Sequence, residues 1–387
     1  MTLRSSIILF TILLLSDSCV DRIEQDVTFD EKSILVVVGL ITDQPGPYTV
    51  KLTWALGPNS VLSSPTPVLA KELRITDDLG NTEVMQTTDI GIFQTSPTGM
   101  RGTHGRSYTL NITLLDGTIY ESSPQLMPLP VTMDSVYFEW GSKLNAIEEE
   151  EVGFHLYADA PAVEGQYLRW RFSGNYFAES FPQFNLFGNN CGSFPDQPPI
   201  PDPLPCSGYI TTGERFGQQV MLGELRQVGP CTCCTCWASE VGRTAILTED
   251  IKVVNNRYQH VSLAFIPFDA WRFGLGKYLA RVELMSINEE AYNFWKVVND
   301  QKEGSSSLFQ PAVGKTRTNI TAVNKKREAL GLFYTAAVSK EIRFIDRTDA
   351  PEKLADPTIP PATNCVLWRS CTDVYFNSSF DKPSDWN

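Results

Sequence analysis

The stretch Tyr108-Thr109-Leu110-Asn111-Ile112-Thr113-Leu114-Leu115-Asp116-Gly117-Thr118-Ile119-Tyr120 decides the fold class. Tyr108, Leu110, Ile112 and Leu114 alternate with Thr109, Asn111 and Thr113, the period of two that sets one strand face in a core and the other in water. Asp116-Gly117 breaks the run and Thr118-Ile119-Tyr120 resumes it. Asp-Gly between alternating segments predicts a hairpin, because a type I′ turn needs positive φ at both central residues. The pattern extends outward. Tyr48, Val50, Leu52 and Trp54 alternate with Thr49, Lys51 and Thr53, and Ile34 to Ile41 is the near-continuous apolar run of a buried strand. Asp77-Asp78-Leu79-Gly80-Asn81 reads as a turn.

About seven short strands within residues 33–130, with no helical period among them, predict an immunoglobulin-like β-sandwich. It holds no cysteine, so the antibody-type bridge is absent. Pro124, Pro128 and Pro130 mark its end. Residues 131–350 then read as a larger β-rich domain with one clear helix. Its strand patterns are Val131 to Trp140, Gly153-Phe154-His155-Leu156-Tyr157, Gln166 to Phe172, His260 to Phe268, Lys277 to Met285, Gly331 to Val338 and Lys340 to Ile345. The helix is expected near 287–302, with Ser286 as cap, Glu289 three residues on, and Ala291, Phe294, Trp295 and Val298 on one apolar stripe. That stripe suits packing on a sheet. Residues 351–387 form a linker and a cysteine-containing tail. A mature chain of about 370 residues exceeds what one core usually supports, which agrees with two domains.

The compartment is read from the start of the chain. Arg4 and the apolar run Ile7 to Leu15 resemble an export signal, too short to span a bilayer, which needs about 20 residues. Ser16 and Ser18 lead into Cys19 as in a lipobox, with Asp17 a departure from it, so residues 1–18 are expected to be removed and Cys19 lipidated. Residues 19–32 are then a polar tether whose Asp21, Glu24 and Asp26 suit either a surface-export signal or a solvated leash. Of nine cysteines, Cys19 takes the lipid and eight remain: Cys191, Cys206, Cys231, Cys233, Cys234, Cys236, Cys365 and Cys371. Cys-x-Cys-Cys-x-Cys suits a thiolate metal cluster in the cytosol, but outside it the even count predicts four disulfides and no metal. Adjacent Cys233 and Cys234 should pair outward. Cys191–Cys206 and Cys365–Cys371 are the pairings expected, the first closing a proline-rich projecting loop.

The chemistry points to binding. Net charge is −13 before and after loss of the leader, which repels nucleic-acid phosphates. The three histidines, His104, His155 and His260, lie in no metal-ligand spacing, and there is no Gly-x-Ser-x-Gly elbow. The acidic run Glu148 to Glu151 lacks the spaced ligands and turn glycine of a calcium loop. Gly314-Lys315-Thr316 lacks the earlier glycine of a phosphate loop. No enzyme and no cofactor are therefore expected. Tyr176, Phe177, Phe181, Phe184 and Phe187, next to the proline-rich loop, are candidate partner-binding residues, since aromatics are the usual interface anchors. They equally suit a core.

Leu35-Val36-Val37-Val38-Gly39-Leu40-Ile41-Thr42-Asp43, Tyr48 to Leu52, Gly105 to Leu110, Cys236-Trp237, Ala291 to Trp295, Gly331 to Ala336 and Lys382-Pro383-Ser384-Asp385-Trp386 occur in an order that resembles the DUF4249 family of Bacteroidetes outer-membrane lipoproteins. Thr318-Asn319-Ile320 stands where the family pattern has Gly-Asn-Ile. The resemblance implies a lipid-anchored outer-membrane protein at the cell surface, partnering a TonB-dependent transporter, with a small-molecule or peptide ligand it does not identify. A structural or adhesive surface protein is the alternative reading, and a hydrolase a third.

Overall fold

The strand Ala329–Asp346 is the spine of the molecule. In the computed structural model, which describes residues 34–56, 64–187, 200–212, 215–216, 219–220, 224–242, 244–304, 318–354, 369–375 and 377–386, it runs unbroken through 18 residues. Its first half pairs in parallel with Leu35–Thr42, Leu35 opposite Ala329 and Thr42 opposite Ala336. Its second half pairs antiparallel with Lys277–Ile287, Ile287 opposite Ala336 and Lys277 opposite Asp346. One sheet of ten strands results. It runs from Gln86–Asp89 through Ile92–Gln94, Thr49–Trp54, Leu35–Thr42, the spine, Lys277–Ile287, Tyr167–Glu179 and Thr235–Val241 to Ser378–Ser379, with Ile246–Leu247 also on Tyr167–Glu179.

Two smaller sheets cover one face of it. Six strands, Ile320–Ala322, Ile119–Ser122, Ser107–Leu114, Ala70–Asp77, Thr82–Val84 and Gln125–Leu126, enclose a first core with Leu35, Val37, Leu52, Leu110, Tyr120 and Phe333. Four strands, Ser135–Leu144, Glu150–Pro161, Arg257–Pro267 and Val253–Val254, enclose a second with Phe154, Leu156, Trp170, Tyr278 and Leu284. Phe333 and Ala337 of the first core share strand parity with Ser339, which stands opposite Leu284 of the second, so both cores lie on the same side. The other side carries the helix Glu289–Gly304, with Ala291 and Tyr292 buried against Met285, Leu332, Tyr334 and Val338.

The mostly β class with sandwich packing is as the periodicity implies, and three expectations need amending. The first sandwich is not closed within residues 33–130, because Ile320, Ala329, Phe333 and Ala337 complete its core. Leu35–Thr42 is buried at alternate positions and needs a strand on each side, and the strand that follows it, Thr49–Trp54, fills only one. Gly331–Val338 and Lys340–Ile345 are one strand, since Ser339 is satisfied in place by the Met133 N–H, 3.2 Å from its Oγ. The helix is capped by Asn288, whose Oδ1 accepts from the Ala291 N–H at 2.8 Å; Ser286 is buried in the preceding strand and accepts from Val131.

The hairpin of the opening stretch also differs in its turn. Gly117 N–H bonds to the Leu114 carbonyl at 3.0 Å and Leu114 N–H to the Thr118 carbonyl at 2.9 Å, while only Gly117 has positive φ, 76°. This is a type I turn followed by a left-handed glycine, the three-residue loop. Leu115, left exposed, joins the turn instead of extending the strand. Gly331 requires its own identity, since φ is 93° and a Cβ would collide with the Val37 carbonyl of the parallel neighbour.

Asn319 secures the spine on the edge that Leu35–Thr42 does not occupy. Its Nδ2 donates to the Phe333 carbonyl at 2.6 Å and its Oδ1 accepts from the Phe333 N–H at 3.1 Å, both buried. One side chain thus stands in for a missing strand. Asn319→Ala leaves two buried backbone groups unpaired and should lower stability by about 3 kcal/mol, read as a drop in urea midpoint at unchanged m-value. A midpoint equal to wild type would show that water takes over the role.

Candidate functional site

The four-stranded sheet has one buried and one open face, and their chemistry differs. Inward, Phe138, Trp140, Phe154, Phe268 and Phe273 meet largely edge to face with centroids 5.1–5.9 Å apart. Outward, the alternate positions present Tyr137 and Glu139 from the first strand, His155, Tyr157 and Asp159 from the second, and His260 and Phe265 from the third. Rings at outward positions of a sheet owe nothing to the core beneath them.

The backbone is shaped to hold those rings. Arg257–Pro267 carries two irregularities against Glu150–Pro161. Tyr157 faces Ser262 while Leu156 faces Ala264, and Ala158 faces Val261 while Ala160 faces Tyr258. Each gives the third strand one extra residue, and such bulges re-aim side chains. At the second of them His260 has φ of 55°, uncommon for a residue with a Cβ. Its released N–H donates to Asp159 Oδ1 at 2.8 Å. Gly141 and Gly153 face each other across the first two strands. A Cβ at Gly141 would lie 3.0 Å from the His155 ring, and one at Gly153 would lie 2.9 Å from the Phe265 ring. Gly141 thus leaves room for the His155 ring, while Gly153 is required first by the Ile266 carbonyl of the neighbouring strand, with which its Cβ would collide.

The rings form a continuous array. His260 stacks on Tyr157 with centroids 3.7 Å apart and planes 20° from parallel. His155 lies 6.1 Å from Tyr157 at 12°, and Phe265 is 4.8 Å from His155. Tyr137 sits 5.8 Å from Tyr157, its Oη 3.1 Å from His260 Nδ1. Burial first, then the charges of Asp159 and Glu139, raise the Tyr137 hydroxyl above its usual pKa, so it stays protonated. His155 Nε2–H donates to the Ser142 carbonyl at 3.2 Å, which orients that ring. Such an arrangement can stack and hydrogen-bond a ligand. Among the described residues no three His, Cys, Asp or Glu side chains converge as a metal site.

The residues singled out in the sequence lie elsewhere, at the far edge of the ten-stranded sheet. Three disulfides are formed there: Cys206–Cys233, Cys231–Cys234 and Cys236–Cys371. The pairings Cys191–Cys206 and Cys365–Cys371 are thereby corrected. Cys206 is drawn to Cys233 by the Thr232 N–H bond to the Cys206 carbonyl, and Cys371 to Cys236 by its own N–H bond to the Cys233 carbonyl. Cys19, Cys191 and Cys365 lie outside the described residues. Cys233 pairs outward as expected, whereas Cys234 closes only a local loop.

The partner-binding candidates are largely structural. Tyr176 is core: it stacks 5.9 Å from Tyr278, and burial, then the Glu240 carboxylate, push its hydroxyl up to about 12. Its strand position faces the second core, which removes it from any interface. Phe177 packs 4.7 Å from Trp237, which in turn meets Trp386 at 4.5 Å. Phe181 and Phe184 are half-buried, 6.3 Å apart, beside the turn Pro182–Phe184. The Phe187 side chain lies outside the described residues. Trp386 belongs to a tail latch: Asp385 is bound by Arg281 Nε at 2.6 Å and Lys340 Nζ at 3.1 Å, while Lys277 sits over the Phe344 and Trp386 rings.

A family model described as a domain of unknown function (DUF4249) matches residues 20–342. No curated protein and no solved structure matches the chain.

Two outcomes test this edge. Cys236–Cys371 closes 135 residues and Cys231–Cys234 only 3, so the chain-entropy account assigns the first about 5 kcal/mol and the second far less. Paired serine substitution of Cys236 and Cys371 should lower the Tm clearly, and that of Cys231 and Cys234 only slightly. Equal losses would contradict that ranking. For the latch, the Arg281 hydrogen bond, then Lys340, hold the Asp385 carboxyl below the usual carboxylate range. A carboxylate so lowered adds stability above its unfolded pKa, about 3.9, and loses it as pH falls through the folded value. Asp385→Asn should cost about 2 kcal/mol at pH 7, and the gap to wild type should close in denaturation curves below about pH 4.

Proposed function

The chain belongs to the DUF4249 family, and from that membership and its ring-bearing sheet face we propose that it is a non-catalytic binding protein of the outer membrane. In this reading Cys19 is lipidated, the tether holds the folded part at the cell surface, and the protein serves a TonB-dependent transporter by capturing ligand for it. The observation that carries the reading is the array of Tyr137, His155, Tyr157, His260 and Phe265 on an open face, held by bulges and Gly141 instead of by a core. Rings fixed in advance lose little freedom on binding, which favours affinity. The anchor adds to this by confining the protein to the plane of the membrane, where its effective concentration near a membrane partner is high.

The resemblance supplies the transporter; the sheet face supplies the capture. Purification from native membranes in mild detergent, after crosslinking, should recover a TonB-dependent transporter with the protein. Cys19→Ser should leave an unprocessed or soluble form, because stable anchoring needs more than one acyl chain and the tether offers no apolar substitute. Recovery of the protein alone, with no crosslink to a transporter, would remove the partner from the proposal. Membrane association of Cys19→Ser equal to wild type would remove the anchor.

A further inference from the structure

We propose that the open face of the four-stranded sheet binds a neutral glycan, with pyranose rings stacked on Phe265, His155, the Tyr157–His260 pair and Tyr137. The inference deepens the binding reading given above and rests on it. Four observations lead to this class of ligand.

First, the rings form a continuous stepped row, since Phe265 stands opposite His155, Tyr157 lies two residues along the same strand, and Tyr137 stands opposite Tyr157. Phe265, His155, Tyr157 and Tyr137 follow one another with centroids 4.8, 6.1 and 5.8 Å apart, crossing all three long strands. A row of rings at this repeat, tilted by 55°, 12° and 35° from one to the next, suits a polymer whose successive units turn along the chain and is wasted on one small molecule. Second, the face is open. A small ligand is held by burying most of its surface in a concavity, whereas a chain of units can gain affinity through several shallow contacts made together. Third, the apolar rings are interleaved with groups for hydroxyls. Glu139 stands opposite His155 and is exposed, Ser262 stands opposite Tyr157 and is exposed, and the imidazole of His260 is exposed. A pyranose offers this combination, apolar C–H faces with hydroxyls around the rim. Fourth, charge selects against the other flat ligands. The chain carries −13, and Glu139 and Asp159 lie within the array itself. Nucleotides and uronic acids bring anions to that surface and are repelled. Neutral sugars are not.

The Tyr157–His260 pair is the centre of the site. His260 is exposed yet held by the Asp159 carboxylate on its backbone N–H and the Tyr137 hydroxyl beside its Nδ1. One ring face rests on Tyr157, the Tyr137 ring lies 6.1 Å away, and the residue is exposed to a ligand arriving from solvent.

The test is affinity gel electrophoresis of the full chain without its lipid, in gels containing a neutral β-glucan, xylan or mannan, with polygalacturonate as the acidic comparison. Retarded migration is expected in at least one neutral gel and not in polygalacturonate. Phe265→Ala, Tyr157→Ala and His260→Gly should each weaken that retardation about tenfold, one ring's stacking. His260→Gly is the informative variant, because glycine accepts the positive φ and only the imidazole is lost. Leu79→Ala, exposed on the other sandwich, should migrate as wild type. Thermal melts establish that each variant is folded.

Retardation in no neutral gel, or retardation that the three ring variants leave intact, overturns the glycan site. If a transporter still co-purifies in that event, the inference fails while the binding reading stands. Retardation by polygalacturonate alone, or capture of an aromatic peptide with no sugar, also overturns it.

Discussion

A strand shared by two sheets' worth of neighbours is the constraint on which this molecule depends. Ala329–Asp346 gives one edge of its first half to Leu35–Thr42 and one edge of its second half to Lys277–Ile287. This parallel pairing joins residues nearly 300 positions apart, and the strands on its two sides, Thr49–Trp54 and Lys277–Ile287, both come from the intervening segment. The two sandwiches are for this reason one structure. Asn319, the middle residue of Thr318-Asn319-Ile320, completes the spine from the side. Glu290 and Asn288 at the helix start hold Gln125 of the first sandwich at 2.7 Å each, so the helix too is fastened across the boundary.

Much of this was legible in the sequence, and the gaps have physical causes. The alternating runs from Tyr48 to Trp54 and from Tyr108 to Leu114 fall on strands with the expected inward residues. Proximity in the chain then misled in two places. The first sandwich looked complete by Pro130, yet its missing strands come from residues 320–337, and nothing in local periodicity says which strand adds to which edge. The cysteine pairings also followed loop length along the chain, whereas Thr235–Val241 beside Tyr167–Glu179 decides where Cys236 sits and so which cysteine can reach it.

The candidate site was half visible. His155, Tyr157 and Asp159 alternate with Phe154, Leu156 and Ala158, so the outward set can be read from that strand alone. Three histidines in the whole chain, two of them inside strands, was a further signal. What no pattern shows is that bulges in Arg257–Pro267 turn His260 onto Tyr157, since a bulge breaks the very period by which strands are read. The aromatic cluster near residues 176–187 was the more conspicuous candidate, but apolar density marks a core more often than a surface, and Tyr176 is buried.

The open sheet face carries local costs that stability alone does not explain. Gly141 sits inside a strand, where a residue without a side chain loses entropy and packs nothing, and only the His155 ring stands where its Cβ would be. His260 adopts a left-handed φ that disfavours side-chain-bearing residues by about 1–2 kcal/mol, and Asp159 is needed to satisfy the N–H this exposes. None of these residues supports the second core, whose aromatic contacts are made by Phe138, Trp140, Phe154 and Phe268 on the opposite face. Departures from local preference in a structure that is otherwise consistent mark positions selected for something besides folding. Here Gly141 and the bulge have one common effect: His155 and His260 are set beside Tyr157 on a surface facing water. A fold that needed only to close its sheet is served as well by threonines or valines there, and the pre-set rings in their place are the physical ground of the binding proposed for this face.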